Sequence, residues 1–396
     1  MKILLVSNKR TEQEFIKFPH RLYKDDPNYV APFNKDVKAA FNSKTNVHFG
    51  QGDAIRWILK NDSGKTIGRI AAFYEKNKAA ADYVNSGGCG FFECINSQEA
   101  ANLLLDTAAN WLKEQGFEAM IGPINFGENE SNWGCLVYGF VQQGYGMAYN
   151  KPYYQNLLEA YGFQLYYRQL SYHIDLNKPF PERFWKIAEW VNNKPGFSFK
   201  HFTYKDANKF VDDIVHIYNT AWVKLKDDFI PMEHDVIYEM LNKAKPILNP
   251  ELVWLAYHKD DPIAFFIFLP DANQIFKHLN GKLHLLNKLK FLWLKSRNKM
   301  TRIRGVAAGV VPKFQNSGVE SAIFWQMKPV VEKNPHLKEI EISWVGDFNP
   351  KMMALYQATG AQHAKVHHTY MYMIDKSIPF KRFMGDAVDE SILPEY

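Results

Sequence analysis

Two stretches of this chain, 200 residues apart, end in the same way. Residues 171–180 read Ser-Tyr-His-Ile-Asp-Leu-Asn-Lys-Pro-Phe and residues 371–380 read Met-Tyr-Met-Ile-Asp-Lys-Ser-Ile-Pro-Phe. In each, an alternating strand pattern ends at Asp and then reaches Pro-Phe. Just upstream, Leu157-Leu158-Glu159-Ala160-Tyr161-Gly162-Phe163 parallels Leu355-Tyr356-Gln357-Ala358-Thr359-Gly360-Ala361. The two registers differ by two residues, which a hairpin loop absorbs. A unit repeated at this spacing implies two halves of one design.

The element order repeats as well. In the first half, periodicity predicts a strand at 1–7, a helix at 11–24 and a hairpin at 54–60 and 66–74 turning through Asn61-Asp62-Ser63-Gly64-Lys65. A strand at 90–95, a helix at 97–116, a strand at 119–124, a helix at 153–161 and closing strands at 164–174 follow. Ala101, Leu104, Leu105, Ala108, Ala109 and Leu112 have the spacing of one buried helix face, with Ser97 as N-cap. The second half predicts a strand at 197–202, helices at 205–222 and 233–245, and a hairpin at 252–258 and 262–269. A strand at 302–311, a helix at 318–332, a strand at 339–345, a helix at 350–359 and closing strands at 364–374 complete it. This alternation implies a mixed α/β sheet (α+β mixed sheet) with helices on both faces. The boundary falls in the polar stretch Asn177 to Pro181, giving domains of residues 1–177 and 178–396.

Bulk properties fit two soluble cores. The chain has 396 residues, 46% hydrophobic and 23% charged. A net charge of +6 suits a polyanionic cofactor, and its scattered basic residues predict no nucleic-acid partner. Cys89, Cys94 and Cys135 are too few and too irregular for a disulfide framework or a zinc site. No apolar run approaches the roughly 18–20 residues of a membrane span, and the N-terminus lacks a signal-peptide core, so a cytoplasmic location is expected. His367-His368 lies in a strand pattern, so the two face opposite ways and cannot share a metal. Residues 277–300 read as an insertion mixing Lys with Leu, Phe and Trp. Such a helix could touch a membrane or cover an acyl chain. The plainer expectation is a helix packed on its own domain with its lysines in water.

Residues 306–321 read Val-Ala-Ala-Gly-Val-Val-Pro-Lys-Phe-Gln-Asn-Ser-Gly-Val-Glu-Ser. An apolar strand runs into a polar turn with Gly318 and then into a helix start. Unpaired amides at a helix N-terminus point at one spot, and the helix dipole favours negative charge there. Gly318 is expected to let the backbone approach a phosphate without a Cβ in the way. Further on, Asn349-Pro350-Lys351-Met352-Met353-Ala354-Leu355-Tyr356-Gln357-Ala358-Thr359-Gly360 follows the apolar strand pattern Ile340 to Val345. Pro350 suits a first helical position and Gly360 a left-handed helix end.

These two segments resemble the GCN5-related N-acetyltransferase (GNAT) superfamily, and the repeat makes this chain similar to its tandem members. The family's loop is Gln/Arg-x-x-Gly-x-Gly/Ala; Gln315 and Gly318 match, whereas Glu320 departs from it. Leu355, Tyr356 and Gly360 match the later segment. The resemblance implies two acyl-CoA N-acyltransferase-like domains, the second carrying the cofactor loop. It implies acetyl-CoA, or another acyl-CoA, as co-substrate and a small-molecule or peptide amine as acceptor. Val310 and Val311 would lie nearest the thioester. Gln315, Asn316, Ser317, Gly318, Val319, Glu320 and Ser321 would hold the pyrophosphate, with Asn349 beside the cofactor. Tyr356 matches the Tyr that protonates the departing thiol. Glu341, alternating with Glu339 and Ser343 on one strand face, is the candidate base, with Asp347 its rival.

The first half lacks this loop. Asn96-Ser97-Gln98-Glu99-Ala100 has no glycine, and Leu158 stands where the second half has Tyr356. That half is expected to be degenerate and to shape the acceptor cleft, through Asn125, Asn129, Asn132, Tyr149 and Tyr153. The alternative for these carboxamides is capping of backbone groups in a turn-rich loop. Two further readings keep the fold: an aminoacyl-tRNA-dependent transferase, which would need a basic groove, and a non-catalytic acyl-CoA or ligand-binding protein.

Overall fold

The computed structural model describes residues 1–76, 83–126, 133–222 and 231–383. Asn129 and Asn132 lie outside the described residues. The first half contains strands β1 (Lys2–Leu5), β2 (Gly52–Lys60), β3 (Thr66–Glu75), β4 (Ser86–Cys94), β5 (Ala119–Gly122), β6 (Cys135–Tyr138) and β7 (Gln164–Asp175). Its helices are α1 (Lys9–Leu22), α2 (Asn34–Ala40), α3 (Gln98–Glu114) and α4 (Tyr154–Tyr161). The second half opens with α5 (Glu182–Asn192), β8 (Phe197–His201), α6 (Ala207–Trp222) and α7 (His234–Ala244). The hairpin β9 (Val253–His258) and β10 (Asp261–Pro270) follows, then α8 (Leu285–Ser296) and β11 (Arg302–Val310). Helix α9 (Val319–Lys333), β12 (Glu339–Gly346), α10 (Pro350–Ala358) and β13 (Gln362–Met373) complete the chain.

Local chemistry sets the helix ends. Asn8 caps α1, its side chain accepting from the amides of Arg10 and Thr11. Ser97 caps α3 as expected, and all six apolar positions of the expected stripe on α3 are buried. Strand β4 starts earlier than its apolar pattern suggests. Its leading residues Gly87 and Gly88 are poor strand formers by propensity. A Cβ on Gly87 would lie 2.4 Å from Leu112, and one on Gly88 2.5 Å from Phe73. Bare backbone is what lets α3 and β3 close on this strand. Helices α2 and α5 and strand β6 had no counterpart in the expected element order.

All the strands join one sheet of order β1-β2-β3-β4-β5-β13-β7-β12-β11-β10-β9-β8, with β6 pairing β13 off this path. The two halves have exchanged their closing strands. Strand β7, from the first half, pairs β12 with Glu341 opposite His173. Strand β13, from the second half, pairs β5 with Tyr370 opposite Gly122. The cores follow the exchange. Leu170, Tyr172 and Ile174 of β7 belong to the second half's core, and Tyr370 of β13 to the first half's. The expected boundary after residue 177 therefore divides the chain but not the sheet. Cutting the chain there should leave two fragments that do not fold singly. Co-expressed, they should reassemble into a complex with one cooperative thermal transition. Independent folding of residues 1–177, read by calorimetry, would contradict the exchange.

Candidate functional site

Parallel strands β11 and β12 pair only at their start, through Arg302 with Glu339, Ile303 with Ile340, and Arg304 with Glu341. Beyond these pairs the two strands part from each other, β11 running on to Val310 and β12, still paired with β7, to Gly346. On its other side β11 stays bonded to β10, with an irregularity between Ala307 and Gly305 that leaves Val306 outside the register. The amide of Val311 donates to Ile263 O at 2.9 Å, so it is spent on β10. Backbone groups alternate sides along a strand. The N–H and C=O of Ala308 and Val310 therefore face the opening toward β12. Val310 O accepts a long bond of 3.3 Å from Gln315 Nε2. Of the two valines expected nearest a thioester, Val310 is the one with backbone turned into the gap.

The gap is a narrow apolar slot of about 30 Å³. Gly305, Ala307, Ala308, Ile342, Ser343 and Tyr356 are among its lining residues. Helix α10 brings Tyr356 there. Asn349 caps that helix, accepting from the amide of Met352 at 3.2 Å, so its side chain is committed to the backbone. Burial, and Tyr172 packed edge-on at 5.2 Å, push the Tyr356 phenol above its ordinary range. It is a protonated donor at neutral pH.

At the end of β11 the turn Pro312–Phe314 leads through Gln315, Asn316 at φ 63° and Gly318 at φ 83° into α9. The first bond of the helix runs from the Ala322 amide to Gly318 O, 3.1 Å. The amides of Val319, Glu320 and Ser321 have no carbonyl within the helix. Ser317 Oγ is buried with no hydrogen-bond partner. The Glu320 carboxylate engages its own backbone amide, which leaves the Val319 and Ser321 amides beside the orphaned hydroxyl; that set fits an anionic group, and these residues would hold the cofactor's pyrophosphate. Burial raises the Glu320 carboxyl, which moderates the negative charge that set it apart from the family loop. The reason expected for Gly318 needs correction. A Cβ there would meet Ile187 at 2.6 Å and Val191 at 3.1 Å, so helix α5 fills that space. Positive φ and the approach of α5 demand the glycine. An open cleft of about 1250 Å³ borders the same turn at Val311 to Phe314. Asp212, Asp213 and Asp261 also line it, and their charge suits a cation better than a phosphate.

Glu341 stands differently from its expected role. It is 1% exposed on the face of β12 away from α9 and α10. Lys365 Nζ lies 2.7 Å from Oε1 and Arg302 3.2 Å from Oε2, with Arg304 at 4.0 Å. Burial works against the carboxylate, but the three cations outweigh it and hold its pKa below the ordinary range. A carboxylate so held is a counter-ion and a weak proton acceptor. Its rival Asp347 is also buried and lies beside Arg168 and Arg382, and burial raises its pKa. Neither carboxylate is among the slot's lining residues.

Sequence reasoning did not single out Arg302, Arg304 and Lys365. The available signal was charge at alternate positions in otherwise apolar strands: Arg302-Ile303-Arg304, Glu339-Ile340-Glu341, Ala364-Lys365-Val366. The Arg302 guanidinium also donates to Asp271 Oδ2 and to the carbonyls of Gln142 and Gln143, which ties the first half's loop onto the second half. Arg304 NH1 is buried without a hydrogen-bond acceptor.

The first half shows the same opening closed by its own chain. Strands β4 and β5 pair in parallel only from Ser86 to Gly88. Past that point Ile124 N donates to Cys89 O at 2.9 Å, and Phe91 N donates to Asn125 Oδ1 at 2.8 Å. A Cβ on Gly90 would lie 1.4 Å from Ile124 O, so the two backbones are in contact. Tyr153 donates to Cys94 O and Tyr149 to Asp26. Asn125, Tyr149 and Tyr153 thus each bond within the first half, and the structure does not gather them into an acceptor pocket. Leu158 is buried in the core.

Replacing Glu341 with Gln should leave buried Lys365 and Arg304 without their anion, while Arg302 keeps Asp271. We expect a loss of about 3–5 kcal/mol in urea unfolding; unchanged stability would refute the counter-ion role. Acid should destabilise the protein through β13. Burial lowers His367 from 6.5 to about 4 and His368 to about 3. Unfolding lets both rings take up protons below about pH 6.5. Stability is therefore full above that pH and falls as pH drops toward 4. His367→Gln should flatten that slope in urea titrations, and an unaltered slope would contradict it.

No protein-family model matches the chain. It is 26% identical over 384 residues to a bacterial ceramide synthase of Caulobacter vibrioides, covering 93% of this chain and 97% of that protein. It is 24% identical over 377 residues to protein YghO of Escherichia coli, covering 92% and 93%. Among solved structures it resembles a tandem GNAT protein from the clavulanic acid biosynthesis pathway, with a TM-score of 0.56, 9% identity, and coverage of 94% and 98%. It also resembles a GCN5-related N-acetyltransferase from Sphaerobacter thermophilus, with a TM-score of 0.51, 10% identity, and coverage of 97% and 98%. The splayed strands, the α9 cradle and the doubled unit all agree with these likenesses: the chain has the tandem GNAT fold.

Proposed function

We propose that the second half binds an acyl-CoA and transfers its acyl group to an amine, forming an amide and free coenzyme A. The observation that carries this reading is the contrast between the two openings. The first is filled by the chain's own backbone, whereas the second leaves an apolar slot lined by Ala308 of β11 and by Tyr356, with the α9 N-terminus following β11 in the chain. The pantetheine arm would bond to the free edge of β11, with its pyrophosphate at Ser317 to Ser321. The neutral amine attacks the thioester carbonyl, the C–S bond breaks, and Tyr356 gives its proton to the departing sulfur. The proton lost by the amine passes to water, and water returns a proton to the Tyr356 oxygen.

The acceptor class follows from the relative of Caulobacter vibrioides, whose name says that it makes ceramide. Ceramide is the amide of a fatty acid with a long-chain amino alcohol. We extend that chemistry to this chain: a long-chain acyl-CoA as donor and a long-chain amino alcohol as acceptor. Apart from Ser343, Tyr356 and Thr359 the slot's lining is apolar, which supports an apolar group there more than a charged one.

The test follows thiol release and amide formation by mass spectrometry, with acetyl-CoA and hexadecanoyl-CoA as donors. The expected result is a higher kcat/KM with the long donor. Tyr356→Phe should lower kcat by about 10²–10⁴ with little change in stability. An undiminished rate would remove Tyr356 from the chemistry. Binding of both donors without transfer to any amine would make this a ligand-binding protein.

A further inference from the structure

We infer that α8 is a membrane-docking element that seats the protein on an anionic lipid surface. The helix has two apolar faces. Phe291 and Leu294 point into the core of the second half. On the opposite side Leu285 and Leu286 are each 72% exposed, Leu289 54%, Leu292 59% and Trp293 60%. At about 100° per residue these five side chains fall in an arc of roughly 120°. Among the described residues no core residue covers them, so the expectation that this helix simply packs on its domain describes only its inner face.

Charge surrounds the exposed stripe on both sides. Lys288 and Lys295 border one edge of the arc and Lys290 the other. The chain from residue 272 to 319 contains no Asp or Glu. Lys290 Nζ donates to His278 O and Lys295 Nζ to Pro246 O, and among the described residues no carboxylate pairs with these lysines. An apolar stripe flanked by lysines, with a Trp at its margin, matches the interfacial helix that lies in the plane of a bilayer. The positive border commits the partner to anionic lipid rather than to another protein's apolar patch.

The helix is held rigidly enough to act as a foot. Asn34 N donates to Gly281 O, which ties the insertion to the first half, and Asn287 Nδ2 donates to the carbonyls of Leu279 and Lys282. Through Lys295 and Pro246 it adjoins the end of α7, where Val236 and Met240 are also exposed. Docking here would bring a substrate that lives in a bilayer to the protein. The inference itself stands on α8 alone and does not depend on catalysis.

Sedimentation of the full chain with vesicles tests it, using phosphatidylcholine alone and phosphatidylcholine mixed with phosphatidylglycerol. The expected result is binding to the mixed vesicles, weaker binding to the neutral ones, and release by salt. Leu289→Ser with Leu292→Ser should lower partitioning by at least about a hundredfold. Lys288→Glu with Lys290→Glu should lower it by about fivefold per lysine or more. These residues are exposed, so thermal unfolding should stay unchanged, and Tyr356→Phe should pellet like the wild type. The idea fails if the wild type remains in the supernatant with anionic vesicles, or if the leucine variant pellets equally. It also fails if sedimentation velocity finds a dimer that the leucine variant dissolves, because the stripe would then belong to a second copy.

Discussion

Parallel pairing that stops after Arg304 and Glu341 is the constraint on which the rest of this protein turns. Once two neighbouring strands part, each has backbone donors and acceptors that must bond to something. A buried peptide group left unpaired costs about 1–3 kcal/mol. The molecule contains both solutions to this problem. Where β4 and β5 part, the chain folds back into the wedge, and Asn125 and Ile124 supply the missing partners. Where β11 and β12 part, no comparable segment enters among the described residues, and β11 faces an apolar slot with Val310 O bonded to the Gln315 side chain. One opening is closed by the chain itself; the other is the one we propose receives a ligand.

The exchange of β7 and β13 holds the open wedge in place. Lys365 arrives on the exchanged strand β13 and meets Glu341 of β12 across β7, while Arg302 and Arg304 approach from β11. The cluster therefore stitches three strands together just where pairing ends. A buried ionic group of this kind is costly to form and more costly to break. Gln142 and Gln143, whose carbonyls accept from Arg302, carry the same restraint into the first half. The first half thus braces the second.

Much of the fold was legible in the sequence because its signals are local. The stripe on α3, its Ser97 cap, the hairpin turn at 61–65 and the strand–turn–helix at Val306 to Ser321 each declare themselves within a short window. The strand exchange could not be read in that way. Strands β7 and β13 end in similar sequences, Ile174-Asp175 and Ile374-Asp375, so either could close either half. Only long-range pairing distinguishes them. Gly87 and Gly88 misled for a related reason, since their value lies in what approaches them from α3 and β3.

The site was legible in its outline and less so in its roles. Residues Gln315 to Ser321 form the turn into α9, and Tyr356 lies on α10 beside the slot. Glu341 read as a candidate base because alternation placed it on a polar face; its partners come from β11 and β13, which no local pattern reveals. Asn125 and Tyr153 looked free to bind a ligand, yet their hydrogen bonds are local closures of the first wedge.

The central claim is that only the second wedge accepts acyl-CoA, and backbone amide exchange reads it directly. Hydrogen–deuterium exchange should be compared with and without saturating hexadecanoyl-CoA. The account predicts new protection over residues 305–321 and around Tyr356, with residues 86–97 unchanged. Protection appearing at residues 86–97, or at neither place while binding is saturated, would contradict it.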